Sequence, residues 1–143
     1  MSKKKRLKEI GPPLADKNIT QQKRDRVAAI LAVVIGLLSV TEGGRVLLGL
    51  SVPDYPVLPW LVWYNVVMGG VSVVAGVGIW LQREGSRGLF VNILTLHAIV
   101  FVSLFAFKQM GQVVAMKSIF AMMFRTFAWI VIAMLVRWKR QER

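Results

Sequence analysis

No cysteine occurs among the 143 residues. That excludes disulfides, thiolate metal centres and thiol redox chemistry within the chain. Histidine occurs once, at His97. A single imidazole cannot supply the paired axial ligands of a membrane b-type haem, and a zinc site draws on three or four side chains. Haem is therefore disfavoured, and no metal site is assigned. Acidic residues number 7 against 19 Lys and Arg. No pair of acids is available for hydrolysis, and no second acid is placed to orient His97 in a Ser-His-Asp set. Gly76 and Gly78 form a Gly-x-Gly, but inside an apolar run rather than after a soluble strand, so it is no nucleotide motif. No catalytic residue is assigned, and a non-enzyme is favoured.

What the chain does contain is long apolar sequence. It is 55% hydrophobic, with a mean hydropathy of +0.55. Residues 27–50, 59–81, 88–107 and 113–136 are each long enough and apolar enough to span a bilayer, whose core takes about 20 residues of helix. The reading is an all-α bundle of four transmembrane helices with up-down connectivity. It divides into a basic tail at 1–26, a membrane domain at 27–136 and a second basic tail at 137–143. Residues 1–22 are polar, contain Pro12 and Pro13, and read as a flexible tail. The basic segment is longer than that of a signal peptide, so the first run reads as a retained span.

The net charge of +12 clusters outside the apolar runs. Lys3, Lys4, Lys5, Arg6, Lys8, Lys17, Lys23, Arg24 and Arg26 precede the first run; Arg137, Lys139, Arg140 and Arg143 follow the last. Flanking basic residues set topology and attract anionic headgroups, so both termini are expected to be cytoplasmic and no nucleic-acid partner is expected. A bacterial cytoplasmic (inner) membrane is the expected location. Between the first two runs lies Asp54 with no Lys or Arg, and 82–87 carries Arg83 and Arg87, which fits outside and inside respectively. Lys108 and Lys117 sit at the other outer connection, against the rule. Tyr55, Trp60, Trp63 and Tyr64 gather at the outer mouth, while Trp80 and Trp138 mark the inner ends, as interfacial aromatics do. Pro53, Pro56 and Pro59 forbid a helix through 51–58, and Gly43–Gly44 is a place where the first span could loosen.

Small residues recur at helical spacing: Ala28, Ala32 and Gly36 in the first run, Ser72 and Gly76 in the second, with Gly69, Gly70 and Gly78 nearby. Such faces allow close backbone approach in lipid. They fit packing within the bundle, a homo-oligomer, or a contact with another membrane protein.

The residues inside the runs that hydrocarbon should most reject, leaving Lys117 to the outer edge, are Glu42, Arg45, Asn65, Asn92, His97 and Arg125. At 1.5 Å per residue, Glu42 lies about 22 Å and His97 roughly 14 Å from the inner edge, with Asn65 about 9 Å and Arg125 about 18 Å below the outer edge. Glu42 is the one acid in the cores, so a Glu42–Arg125 ion pair is expected, with Arg45 as an alternative partner for Glu42 and with Asn65 and His97 completing a polar layer. That cluster either fixes helix assembly or lines an outward polar pocket. Met110, Met116, Met122, Met123 and Met134 read as packing filler.

The segment 68–88, with its Gly-rich run followed by Gln82-Arg83-Glu84-Gly85-Ser86-Arg87, resembles the junction between the second and third helices of DoxX-like membrane proteins over residues 65–102. The resemblance implies a four-helix bundle associated with oxidoreductase or quinone-linked systems. Asn65 stands near the place where that group often has an acid, so no catalytic residue is transferred. Three functions follow: an accessory subunit or a module binding a small ligand or lipid, a proton-coupled permease using Glu42 and His97, or a quinone-binding redox subunit using His97 or Arg125. No cofactor beyond that quinone is invoked.

Overall fold

A computed structural model describes residues 14–83 and 85–137, with side chains from Ile19 onward apart from Ser86, Arg87 and Arg137. The expectations for Trp138, Glu84 and the basic residues at 1–13 and 138–143 fall outside the described residues. Four helices follow one another: α1 (Leu14–Leu47), α2 (Pro59–Trp80), α3 (Ser86–Gln109) and α4 (Met116–Arg137). All four are long and apolar enough to cross a membrane, over Ile19–Leu47, Pro59–Trp80, Gly88–Gln109 and Met116–Val136. A 22-residue helix is about 33 Å long, which matches the hydrocarbon thickness.

The first helix corrects the expected boundary. Residues 14–22 are helical rather than a flexible tail. The polar segment continues the helix as a cap on the bundle: Gln21 is buried, donates from Nε2 to Asp25 Oδ1 at 2.8 Å, and reaches the Leu135 carbonyl of α4 at 3.4 Å. One turn on, the Arg26 guanidinium lies 5.6 Å from the centre of the Trp80 ring on α2. Gly43–Gly44 does not break α1; Gly43 is buried against Val66, and the helix runs on to Leu47. Residues 51–58 are non-helical, and Pro59 occupies the first turn of α2, where its missing N–H has no helical partner to lose.

Helices α1 and α2 make the most extensive contact, α3 packs on α4, and α4 closes on α1, while the contact of α2 with α3 is smaller than these. Glycine explains the first pairing. A methyl at Gly36 would stand 2.6 Å from the Gly69 carbonyl oxygen, and one at Gly69 would stand 2.8 Å from that of Gly36. Ala28, Ala32 and Ser72 are buried, and Gly76 abuts Ala29 and Val33, so the small-residue faces of α1 and α2 meet inside the molecule.

The apolar core has two parts. The larger joins Ala28, Ala32, Ile35, Met68, Ile79, Phe90, Ile93, Trp129 and Ile132; the smaller joins Leu61, Leu104, Ile119 and Met122 toward the loops at 48–58 and 110–115. Of the methionines on or beside α4, Met122 is buried, whereas Met110, Met116, Met123 and Met134 are exposed, so four of the five turn outward instead of filling the core.

Candidate functional site: a polar layer beneath an open cleft

Between the two apolar clusters every helix places a polar side chain. Counting from the helix ends nearest the 48–58 and 110–115 loops, Tyr64 is about 8 Å along α2, Asn65 about 9 Å, Ser39 about 12 Å along α1, Arg125 about 14 Å along α4 and His97 about 18 Å along α3. The sequence order explains the layering: Leu61, Tyr64 and Met68 on α2, and Met122, Arg125 and Trp129 on α4, step through apolar, polar and apolar levels at helical spacing.

His97 is 3% exposed. The Tyr64 hydroxyl lies 2.9 Å from its Nδ1, and the Trp129 ring meets it edge-on at 6.3 Å. Tyr64 therefore turns into the bundle, unlike Trp60 and Trp63, which are exposed at the same end as interfacial aromatics are. On α4, Thr126 Oγ1 donates to the Met122 carbonyl at 2.9 Å and lies 3.4 Å from the His97 carbonyl, joining α3 to α4.

Arg125 does not pair with Glu42. Its Nε donates to Ser39 Oγ at 3.1 Å, and Ser39 in turn donates to the Ile35 carbonyl at 2.9 Å. No ion pair joins Arg125 to any carboxylate among the described residues. The expected Glu42–Arg125 bridge is thus corrected. Ser39, one helical turn deeper than Glu42, meets the guanidinium, while Glu42 stays exposed on the wall of the cleft described below. Arg45 is exposed near the end of α1 and forms no ion pair with Glu42; Asn92 is exposed on α3 and does not join the layer.

Glu42, Asn65 and Arg125 nevertheless share one space. They line an open cleft of about 130 Å³, with Tyr55, Lys117 and Ala121 also on its walls. At roughly 30 Å³ per molecule, that volume suits about four waters or a small polar group. Lys117 donates to Asp54 Oδ1 at 2.8 Å and lies 4.9 Å from the Tyr55 ring, so its charge is already matched at the rim. This ammonium holds the Asp54 carboxyl below its ordinary 3.8. The bridge is therefore present at neutral pH and is lost as pH falls through the lowered value. The contact also places the second basic residue of the 108–117 region opposite an acid of the neighbouring loop.

Among the described residues, two buried side-chain polar atoms have no hydrogen-bond partner: Asn65 Oδ1 at the cleft wall and Trp129 Nε1 beside His97. Arg125 lines the cleft with its remaining guanidinium N–H groups uncommitted, and a fixed fork of donors suits a carboxylate or phosphate. A second, more apolar hollow of about 350 Å³ lies at the same end, walled by Leu58, Trp60, Phe107 and Met110.

Hydropathy and depth alone did not single out Ser39, Lys117 or the inward turn of Tyr64. The available signals were the position of Ser39 three residues before Glu42 and the adjacency of Tyr64 to Asn65. Among the described residues, no three His, Asp or Glu side chains gather as metal ligands.

Fold and site together define a small four-span integral membrane protein with a polar layer under a one-sided cleft. Comparisons with protein-family models, with curated proteins and with solved structures return no match.

Proposed function

We propose that this protein is a binding module of the membrane that receives the polar end of a small ligand or lipid in the cleft between α1, α2 and α4. The observation that carries the reading is Arg125: a cation deep in the bundle, hydrogen-bonded to a neutral serine, open to a cleft and without a carboxylate partner among the described residues. Charged groups at such depth are costly and tend to mark ligand sites or pathways. Passage through the protein is less well supported, because beyond the polar layer the bundle is filled by Phe90, Ile93, Trp129 and Ile132, all buried. A quinone carbonyl would fit the same Arg125 donors and is an included ligand class.

The proposal takes the cleft to face outward from a bacterial cytoplasmic membrane, with the basic tails against anionic lipid on the inner side. Kinship with DoxX-like proteins belongs to the same proposal and rests on the Gly-rich α2 and the Arg-bearing turn that follows it. The test is mass spectrometry of the protein purified in mild detergent. A small molecule co-purifying near one per chain is expected, and it should be lost in Ala121→Phe, which fills the cleft from an exposed position on α4. Co-purification unchanged by Ala121→Phe would place the ligand elsewhere and refute the reading.

A further inference from the structure

Glu42 and Arg125 line the same cleft and do not pair. We infer that the cleft takes a compact zwitterion, whose anionic group meets Arg125 at the deep end and whose primary ammonium meets Glu42 at the mouth. This rests on the binding reading above and specifies its ligand class.

Charge balance leads to it. Three charged residues line the space, Arg125, Lys117 and Glu42, and a fourth, Asp54, is bound to Lys117 at its rim. Lys117 and Asp54 satisfy each other at 2.8 Å. One cation and one anion are left, and neither makes an ion pair among the described residues. Their levels differ by about 6 Å, counted from the ends of α1 and α4. A purely anionic ligand would satisfy Arg125 but bring its charge past Glu42. A purely cationic one would satisfy Glu42 and approach an uncompensated guanidinium. A molecule with both charges on a short link, anion inward, complements both. Asn65, on the wall with its oxygen unpartnered, adds an acceptor on the side where an ammonium needs one.

Two sources share this chemistry: the phosphoethanolamine headgroup of a lipid, and a free zwitterion such as an amino acid or O-phosphoethanolamine. The full chain in detergent is titrated with short-chain phosphatidylethanolamine, phosphatidylcholine and phosphatidylglycerol, and affinities are read by native mass spectrometry. Phosphatidylethanolamine should bind about tenfold more tightly than the other two, because a trimethylammonium cannot donate to Glu42 and glycerol carries no charge. Glu42→Gln, at an exposed position, should remove that preference by weakening phosphatidylethanolamine alone. Displacement of the lipid by free O-phosphoethanolamine or glycine would assign the site to soluble zwitterions; resistance to them would assign it to the lipid. Equal binding of phosphatidylglycerol and phosphatidylethanolamine, unaffected by Glu42→Gln, overturns the zwitterion while leaving a cleft that binds anions. Binding of all three lipids that is indifferent to Ala121→Phe overturns the cleft reading itself.

Discussion

Arg125 shows how far a single residue can be read from sequence. Its depth followed from counting residues along a span, and so did the depth of Glu42. Depth fixes a level along the bundle axis, not a direction around each helix. The guanidinium meets Ser39, while Glu42 projects to the mouth. Desolvating both charges would cost several kcal/mol per ion, a cost the mouth spares Glu42. A stability prediction separates the two arrangements. In protein stripped of lipid and ligand, Glu42→Gln should change unfolding stability by less than about 0.5 kcal/mol, as exposed substitutions do. Breaking a buried pair would cost roughly 3–5 kcal/mol, so a loss of that size in a denaturant titration would restore the bridge. From sequence Tyr64 reads as one more interfacial aromatic, because ring chemistry alone does not tell whether its hydroxyl reaches water or His97.

At the scale of the helix, α2, α3 and α4 were legible because apolar runs near the length of a bilayer have few alternatives, and their ends fell within about three residues of the structure. The loop at 51–58 was legible because proline removes the donors and fixes the backbone. The start of α1 was not legible. A polar segment carries no hydrophobic period, yet 14–26 is held helical by continuity with the span and by the reach of Gln21 to α4. The small-residue stripes were visible, but their partner was not: packing within the chain and packing between chains use the same residues. Gly36 lies against the Gly69 carbonyl, within the chain. Gly36→Ala should therefore destabilise the bundle by about 1–3 kcal/mol, since a backbone oxygen cannot step aside as a side chain can. Gly70→Ala, with open space at its Cβ, should be near neutral. Equal effects in a thermal unfolding assay would mean that the α1–α2 approach is looser than described.

For the whole molecule, four apolar helices leave wide exposed surfaces of Val, Leu, Ile and Phe, which is how a protein dissolved in lipid is built. The charged residues of the described helices are then confined to the helix ends and to one layer. That layer is open on one side, through the cleft, and closed on the other by buried aromatic and aliphatic side chains. A layer open on one side means that water and ligand reach Arg125 from the loop end alone. A chain without cysteine permits a clean measurement: labelling of single cysteines in native membranes with a membrane-impermeant maleimide. Ala121→Cys, on the cleft wall, should be labelled when reagent is on the 48–58 loop side and protected by bound ligand. Ile132→Cys, fully buried beyond the polar layer, should stay unlabelled from either side. Labelling at position 132, or no reaction at position 121, would contradict the one-sided cleft.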